Sequence, residues 1–401
     1  MFSRVIEWVP GRPLPIMVSL LLAWGLLASR WSDWISAKPT VLLLTLTSLM
    51  VVSTLSGNWP GGSVGLMVDA WSRSLLYYLI VVTVGTGLAG VATVMSGVAW
   101  GMAVVVVSLL LQTASGARLA FELGGTLSNP NDLAALLIVG LPFCAWYVLG
   151  SGRPLFLRVV MAAVSAFAFI MLLKTGSRMG LLTLLFVGVV LFFITHGRDR
   201  LLLVVLALAA GIAAAIFVPK VIQERYQTMV DKDADDSQGN ADAMKALGSS
   251  QARWNLFVHS LVVTAHHPLL GVGPGNFSGE NADITKRAGQ RANWQVTHNS
   301  YTQVSSECGI PAALIFAWLV LYGVRTSNRL RQAMALHSEL RSKMPMAFWL
   351  LVATAAYGFS AMFGAIAYGY LLPLLVAVVH SLKTATADVL AQPARSPAPT
   401  R

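Results

Sequence analysis

The chain is built from apolar runs that follow one another with few polar positions between them, at about 14–29, 40–55, 74–91, 93–112, 132–150, 156–173, 179–195, 201–218, 304–324, 345–364 and 366–382. A helix crosses the hydrocarbon layer with roughly 20 apolar residues, so these runs make about eleven spans, or twelve if the proline-broken start holds another. Uninterrupted Leu, Val and Ala lack the alternation of a barrel strand, and lipid forces each backbone group to find its partner within the segment. The expected fold is therefore an all-α polytopic integral membrane bundle. Composition agrees: 11% of residues are charged, against roughly 25% in soluble domains. A conventional soluble enzyme domain has nowhere to fit.

One long polar stretch remains, Pro219 to His298. It divides the chain into N-terminal transmembrane helices over 1–218, a large loop with short amphipathic helices over 219–298, C-terminal transmembrane helices over 299–383 and an Ala/Pro/Thr-rich disordered tail over 384–401. The net charge is +11, but the long loop holds eight Lys or Arg and eight Asp or Glu. The excess sits in short connections: Arg153 and Arg158, Arg198 and Arg200, and Arg325, Arg329, Arg331, Arg341 and Lys343. These lie on one side by parity, and the positive-inside rule makes that side cytoplasmic. The basic balance then reports topology and anionic lipid rather than nucleic acid. The long loop lies outside, with the loops around 56–73, 113–131 and 174–178. Parity with eleven spans also puts the N-terminus outside. Cys144 and Cys308 form no disulfide framework or metal-binding pair. The basic, apolar start lacks a small-residue cleavage site and reads as an uncleaved first helix.

Several outer-face residues exceed what membrane insertion requires. In Lys174-Thr-Gly-Ser177-Arg178-Met-Gly180, Ser177 can cap the next helix, which leaves Arg178 at the positive end of its dipole. Backbone N–H groups and a guanidinium aimed at one point suit a phosphate; an arginine reaching for the interface is the plainer alternative. Asn129-Pro130-Asn131 can cap another helix, with Pro130 in its first turn. The loop carries Arg253-Trp254 and then Pro268-Leu-Leu-Gly271-Val-Gly273-Pro-Gly275-Asn-Phe277, whose glycines allow tight turns and close backbone approach to a ligand. It ends at Thr297-His298-Asn299-Ser-Tyr301, followed by Glu307 and Gly309. A histidine there can accept a proton or merely hold an interfacial hydrogen bond. His259, His266 and His267 lack zinc-site spacing, and Asp231, Asp233, Asp235 and Asp242 lack the turn glycine of a calcium loop, so no metal site is read. Helices beginning near 130, 178 and 300 all run inward and open their N-termini outside, where they can meet one anion if the bundle brings them together.

Taken in order around one large loop, these motifs resemble the O-antigen ligase and polymerase family of bacterial envelopes: Thr175-Gly-Ser177-Arg178-Met-Gly180, Arg253-Trp254 with Pro268 to Phe277, His298-Asn299-Ser-Tyr301 with Glu307-x-Gly309, and Asn129-Pro130-Asn131. The resemblance covers roughly residues 120–320 by motif and the whole chain by topology. It implies a membrane-embedded, GT-C-like glycosyltransferase of the bacterial inner membrane, using a glycan on undecaprenyl diphosphate at the periplasmic face. It also implies that Arg178 and Arg253 hold the diphosphate while His298 serves the acceptor. Substrate contacts are then expected from Ser177, Asn129, Asn131, Trp254, Gly271, Gly273, Asn299 and Tyr301.

A diphosphate leaves without an acid behind it, so two guanidinium groups and a base suffice. Direct displacement inverts the anomeric centre and calls for no cofactor or divalent metal. The expected acceptor is lipid A-core. Polymerisation of repeat units, transfer to protein, and the different class of secondary transporter or flippase stay open as alternatives. Against transport, span centres carry almost no ionisable residues, where carriers place their coupling sites.

Overall fold

The computed structural model describes residues 37–111, 119–120, 129–150, 152–217 and 241–392. The expected first span at 14–29, the segment 121–128, the acidic run at 231–236 and the tail beyond 392 lie outside the described residues. The described part is helical and contains no strand. In chain order the helices are α1 (Lys38–Ser56), α2 (Pro60–Val84), α3 (Gly87–Leu110), α4 (Pro130–Leu149), α5 (Leu155–Lys174), α6 (Arg178–Ile194), α7 (Arg198–Phe217), α8 (Ala241–His266), α9 (Phe277–Arg287), α10 (Ser300–Leu336), α11 (Ser338–Arg341), α12 (Met344–Ser360) and α13 (Leu371–Leu390). Among the described residues, seven helices are long and apolar enough to cross a membrane, and α6 and α12 are shorter apolar helices. The chain is an all-α, multi-pass membrane protein.

Lipid is as apolar as leucine, so packing contacts rather than the hydrophobic effect hold such helices together. Fully buried small residues do this here, with Ala99, Ala134, Ala347, Ala353 and Ala377 letting neighbouring backbones close up. Leu133, Leu137, Phe143, Met95 and Phe316 fill the space between them. The most enclosed span is α4, which packs on α3, α5, α6 and α12. Many hydroxyls inside spans turn back on their own helix, as Thr54 Oγ1 does to Met50 O at 2.8 Å and Thr354 Oγ1 to Leu350 O at 2.7 Å.

Four expectations need correction. The outer loop around 56–73 is mostly helix, because Pro60 starts α2 at once and a π turn at Met67–Trp71 carries it on. Trp71 ends that turn, buried with its Nε1 donating to Thr47 Oγ1 at 2.9 Å. The long loop contains a 26-residue helix, α8, besides the short α9. The span at 304–324 reaches from Ser300 to Leu336, with non-helical dihedrals at Gly309 inside it. Lastly, the disordered tail was drawn too early: α13 continues to Leu390, and Thr386 is buried with Oγ1 bonded to Leu382 O at 2.9 Å.

The basic connections make local contacts that cap helices. Arg153 Nη1 donates to the carbonyls of Trp146 and Tyr147 at 3.1 and 2.8 Å, and Arg158 Nε to Val148 O at 2.7 Å. Those carbonyls end α4, where Trp146 O also takes the Gly150 N–H at 3.1 Å, so the arginines cap the helix and meet the negative end of its dipole. Arg200 does the same beyond α6, from Nη2 to Thr195 O at 3.0 Å.

Candidate active site at the helix N-termini

Asn129 and Ser177 each cap the helix that follows. Asn129 Oδ1 accepts the Asn131 N–H at 2.9 Å, and Ser177 Oγ accepts the Gly180 N–H at 3.2 Å. The Ser177 hydroxyl then donates to Asn131 Oδ1 at 2.8 Å, which ties the first turns of α4 and α6 together. Both side chains are buried. Thr175 shapes the approach, donating to Leu172 O at 2.7 Å and accepting the Ser177 N–H at 3.2 Å. Arg178 follows as the first residue of α6 and is half-buried.

The start of α10 joins this group through the turn between α12 and α13. Ser300 N–H donates to Ala361 O at 2.7 Å, its hydroxyl donates to Gly364 O at 2.6 Å and accepts the Ile366 N–H at 2.9 Å. The same turn meets α6, where Ser360 Oγ donates to Thr183 Oγ1 at 3.2 Å and a Cβ on Gly364 would touch Met179 Sδ at 3.3 Å. The N-termini of α4, α6 and α10 are thus linked at one end of the bundle. Sequence alone could pose that convergence but not establish it.

His298 stands just before α10 with φ of +52°, the one non-glycine positive φ among the described residues. Such a conformation is costly for a side chain bearing a Cβ and persists only where its surroundings impose it. Thr297 and Asn299 impose it. The Thr297 hydroxyl spans the histidine, donating to Asn299 O at 3.0 Å and accepting the Asn299 N–H at 3.4 Å. Asn299 Oδ1 caps α10, accepting from Tyr301 and Thr302 N–H at 3.0 and 3.1 Å. Burial lowers the His298 pKa to about 4, and the nearby Arg253 guanidinium pushes in the same direction. The imidazole is therefore neutral at neutral pH, and Arg253, on α8, lies within its electrostatic reach.

The remaining expected contacts divide. Trp254 is exposed beside Phe257. Tyr301 donates its hydroxyl to Gly358 O at 3.0 Å and packs edge-on against Phe316, which makes it a brace between α10 and α12. Gly271 and Gly273 lie close to the protein's own backbone. A Cβ on Gly271 would overlap the Glu307 carbonyl, and Gly273 N–H donates to Glu307 O at 2.9 Å.

Glu307 itself was noticed in sequence but given no role. It is fully buried, with Oε2 accepting the Gly275 N–H at 2.9 Å and Oε1 the Phe277 N–H at 3.4 Å. Its backbone carbonyl also takes the Ser53 hydroxyl at 2.7 Å. The carboxylate thus pins the glycine-rich turn of the α8–α9 hairpin against the Gly309 kink. An acidic residue two positions before a glycine in an otherwise apolar span was the available signal.

Residues 163–317 match the O-antigen ligase family, a stretch that runs from α5 to the middle of α10 and includes Arg178, Arg253 and His298. No curated protein matches this chain. The match spans less than half of the chain, and over that stretch the protein is similar to the O-antigen ligase family.

Proposed function

We propose, starting from that family, that this protein is an inverting, metal-independent glycosyltransferase of the bacterial inner membrane. It moves a glycan from undecaprenyl diphosphate to an acceptor hydroxyl at the periplasmic face, with lipid A-core as the acceptor. The observation that carries this reading is a neutral, backbone-strained His298 with Arg253 beside it, at the end of the bundle where α4, α6 and α10 open. Aligned peptide dipoles place partial positive charge at those N-termini, and a diphosphate is the kind of group they attract.

The roles divide by chemistry. Arg178 and Arg253 neutralise the phosphate oxygens as the glycosidic bond breaks, a preorganised electrostatic contribution that is often the largest single one. His298 takes the acceptor hydroxyl's proton, a role typically worth 10²–10⁴-fold. A pKa near 4 makes a weak base in the free enzyme. The arriving diphosphate offsets the field of Arg253, so His298 becomes more basic when donor is bound.

Purified protein, a synthetic undecaprenyl-diphosphate glycan and two acceptors, lipid A-core and a second lipid-linked glycan, test the proposal. Product on lipid A-core supports ligation; lengthening of the second glycan identifies a polymerase. Glycan movement across vesicles without any transfer would replace the enzyme with a flippase. Chelation is expected to leave the rate unchanged. Full activity after Arg178→Ala, Arg253→Ala and His298→Ala, each made singly, would sink the assignment.

A further inference from the structure

We infer that the tip of the α8–α9 hairpin, residues 268–272, and the outer stripe of α8 are seated among the acyl chains of the bilayer. The stretch read from sequence as an outside loop thus re-enters the membrane beside α1 and α10. This inference is independent of the glycan-transfer reading, since it rests on packing and exposure alone.

Hydrogen bonds fix the depth. Thr264 Oγ1 bonds Ser305 Oγ at 2.8 Å, and Ile310 N–H donates to Pro268 O at 2.8 Å. Because Arg253 lies by His298, α8 descends parallel to the first turns of α10 until it reaches the level of Ile310. The chain then climbs back, with Val272 N–H on Ser306 O at 3.0 Å and Gly273 N–H on Glu307 O at 2.9 Å. Below that level, Lys38 and Arg325 both sit over the Trp318 ring, a cation and aromatic belt of the kind that marks a bilayer edge. The helix from Ile310 to Arg325 rises about 22 Å. With a hydrocarbon layer of about 30 Å, the hairpin tip lies about 8 Å inside its far edge.

Side-chain chemistry agrees with that depth. From Val258 to Val272 there is no Asp, Glu, Lys or Arg, whereas α9 carries Glu280, Asp283, Lys286 and Arg287 as it climbs away. On α8 the face bearing Leu256, Ser260 and Val263 is buried, while Val258, Leu261 and Val262 are exposed and lead to Leu269, 70% exposed at the tip. Leu269 continues the apolar exterior of its neighbours, with Leu55 at the end of α1 and Ile310 and Leu314 on α10 all exposed. His266 and His267 flank the tip and are exposed; their rings, apolar in body and polar at the edge, suit the zone between acyl chains and headgroups. Ser300 lies on the far side of the Gly309 kink from Ile310, which leaves His298 and Arg253 farther from the bilayer centre than the tip.

Nitroxide labels on Leu269→Cys and Leu261→Cys test this in the full chain, in nanodiscs of phosphatidylethanolamine and phosphatidylglycerol. Leu314→Cys serves as the lipid-facing reference and Gln290→Cys as the water-facing one; native Cys144 and Cys308 are buried. Relaxation by oxygen should exceed relaxation by a water-soluble nickel chelate at 269 and 261, in the ratio seen at 314. A ratio like that at 290 would overturn the inference. Exclusion of both agents would also overturn it, and would show that protein, from a second copy or a partner, covers the face. Two labelled positions keep the outcome readable if one substitution disturbs folding.

Discussion

Arg178 and Arg253 differ in what a lysine could replace. A phosphate held by a planar fork loses its second hydrogen bond with lysine, which offers a point charge. Arg178→Lys is therefore expected to lose at least tenfold in transfer rate while the protein remains folded, measured as single-turnover transfer on reconstituted protein. His298 makes a sharper pH statement. Its pKa is pushed down to about 4, so the neutral, base-competent form persists as pH falls and is lost only near that value. The acid limb of kcat/KM, which reports free enzyme, is expected near pH 4, and the limb of kcat, which reports the donor complex, at higher pH. Replacing Arg253 with Gln removes one of the two causes and should move the free-enzyme limb upward. An acid limb of kcat/KM at the ordinary histidine value near 6.5 would contradict the burial of His298. Of these residues, the sequence exposed the candidates but not the strain. No reading of Thr297-His298-Asn299 announces that its middle residue is left-handed, because the conformation is imposed by hydroxyl and amide contacts made after folding.

At the scale of elements, the α8–α9 hairpin and the α10 kink are one unit. Gly309 has φ of +85°, and a Cβ there would overlap the Leu269 carbonyl. Gly309→Ala therefore meets both a forbidden backbone region and a backbone wall, with an expected loss on the order of 3 kcal/mol. Gly188→Ala is the control, since its Cβ meets nothing within 4 Å and its place is inside a helix; it is expected to be neutral or to stabilise by about 0.5 kcal/mol. Thermal unfolding of the two variants in the same detergent compares them directly. At the opposite end, Arg153 caps two carbonyls of α4 and stacks on Trp146 and Tyr147 at 4.0 and 4.1 Å. Arg153→Ala should cost about 1–2 kcal/mol in the same assay. That is more than an arginine placed only for topology would cost. The capping serines and asparagines were legible in sequence, because a cap needs only its own helix start. The Glu307 anchor was not, because its partners Gly275 and Phe277 lie about thirty residues away in the chain.

For the whole molecule, orientation is the open prediction. Gln290→Cys should react with a membrane-impermeant maleimide in intact cells, and Ser338→Cys only after permeabilisation; the reverse pattern would invert the proposed topology. Apolar runs and their charged edges, by themselves, determined that the chain is a helical membrane bundle, because twenty residues of Leu, Val and Ala have one stable state in lipid. They also determined which helix ends can be capped, since Ser177, Asn129 and Asn299 act within one turn of their own helices. Only the tertiary structure decided that α4, α6 and α10 meet at one end, that Gly271 and Gly273 pack on the chain itself, and that the polar loop returns to the level of Ile310. Each of those outcomes depends on contacts between segments far apart in sequence. Their pairing is chosen by packing and hydrogen-bond satisfaction across the bundle, which no local pattern of residues encodes.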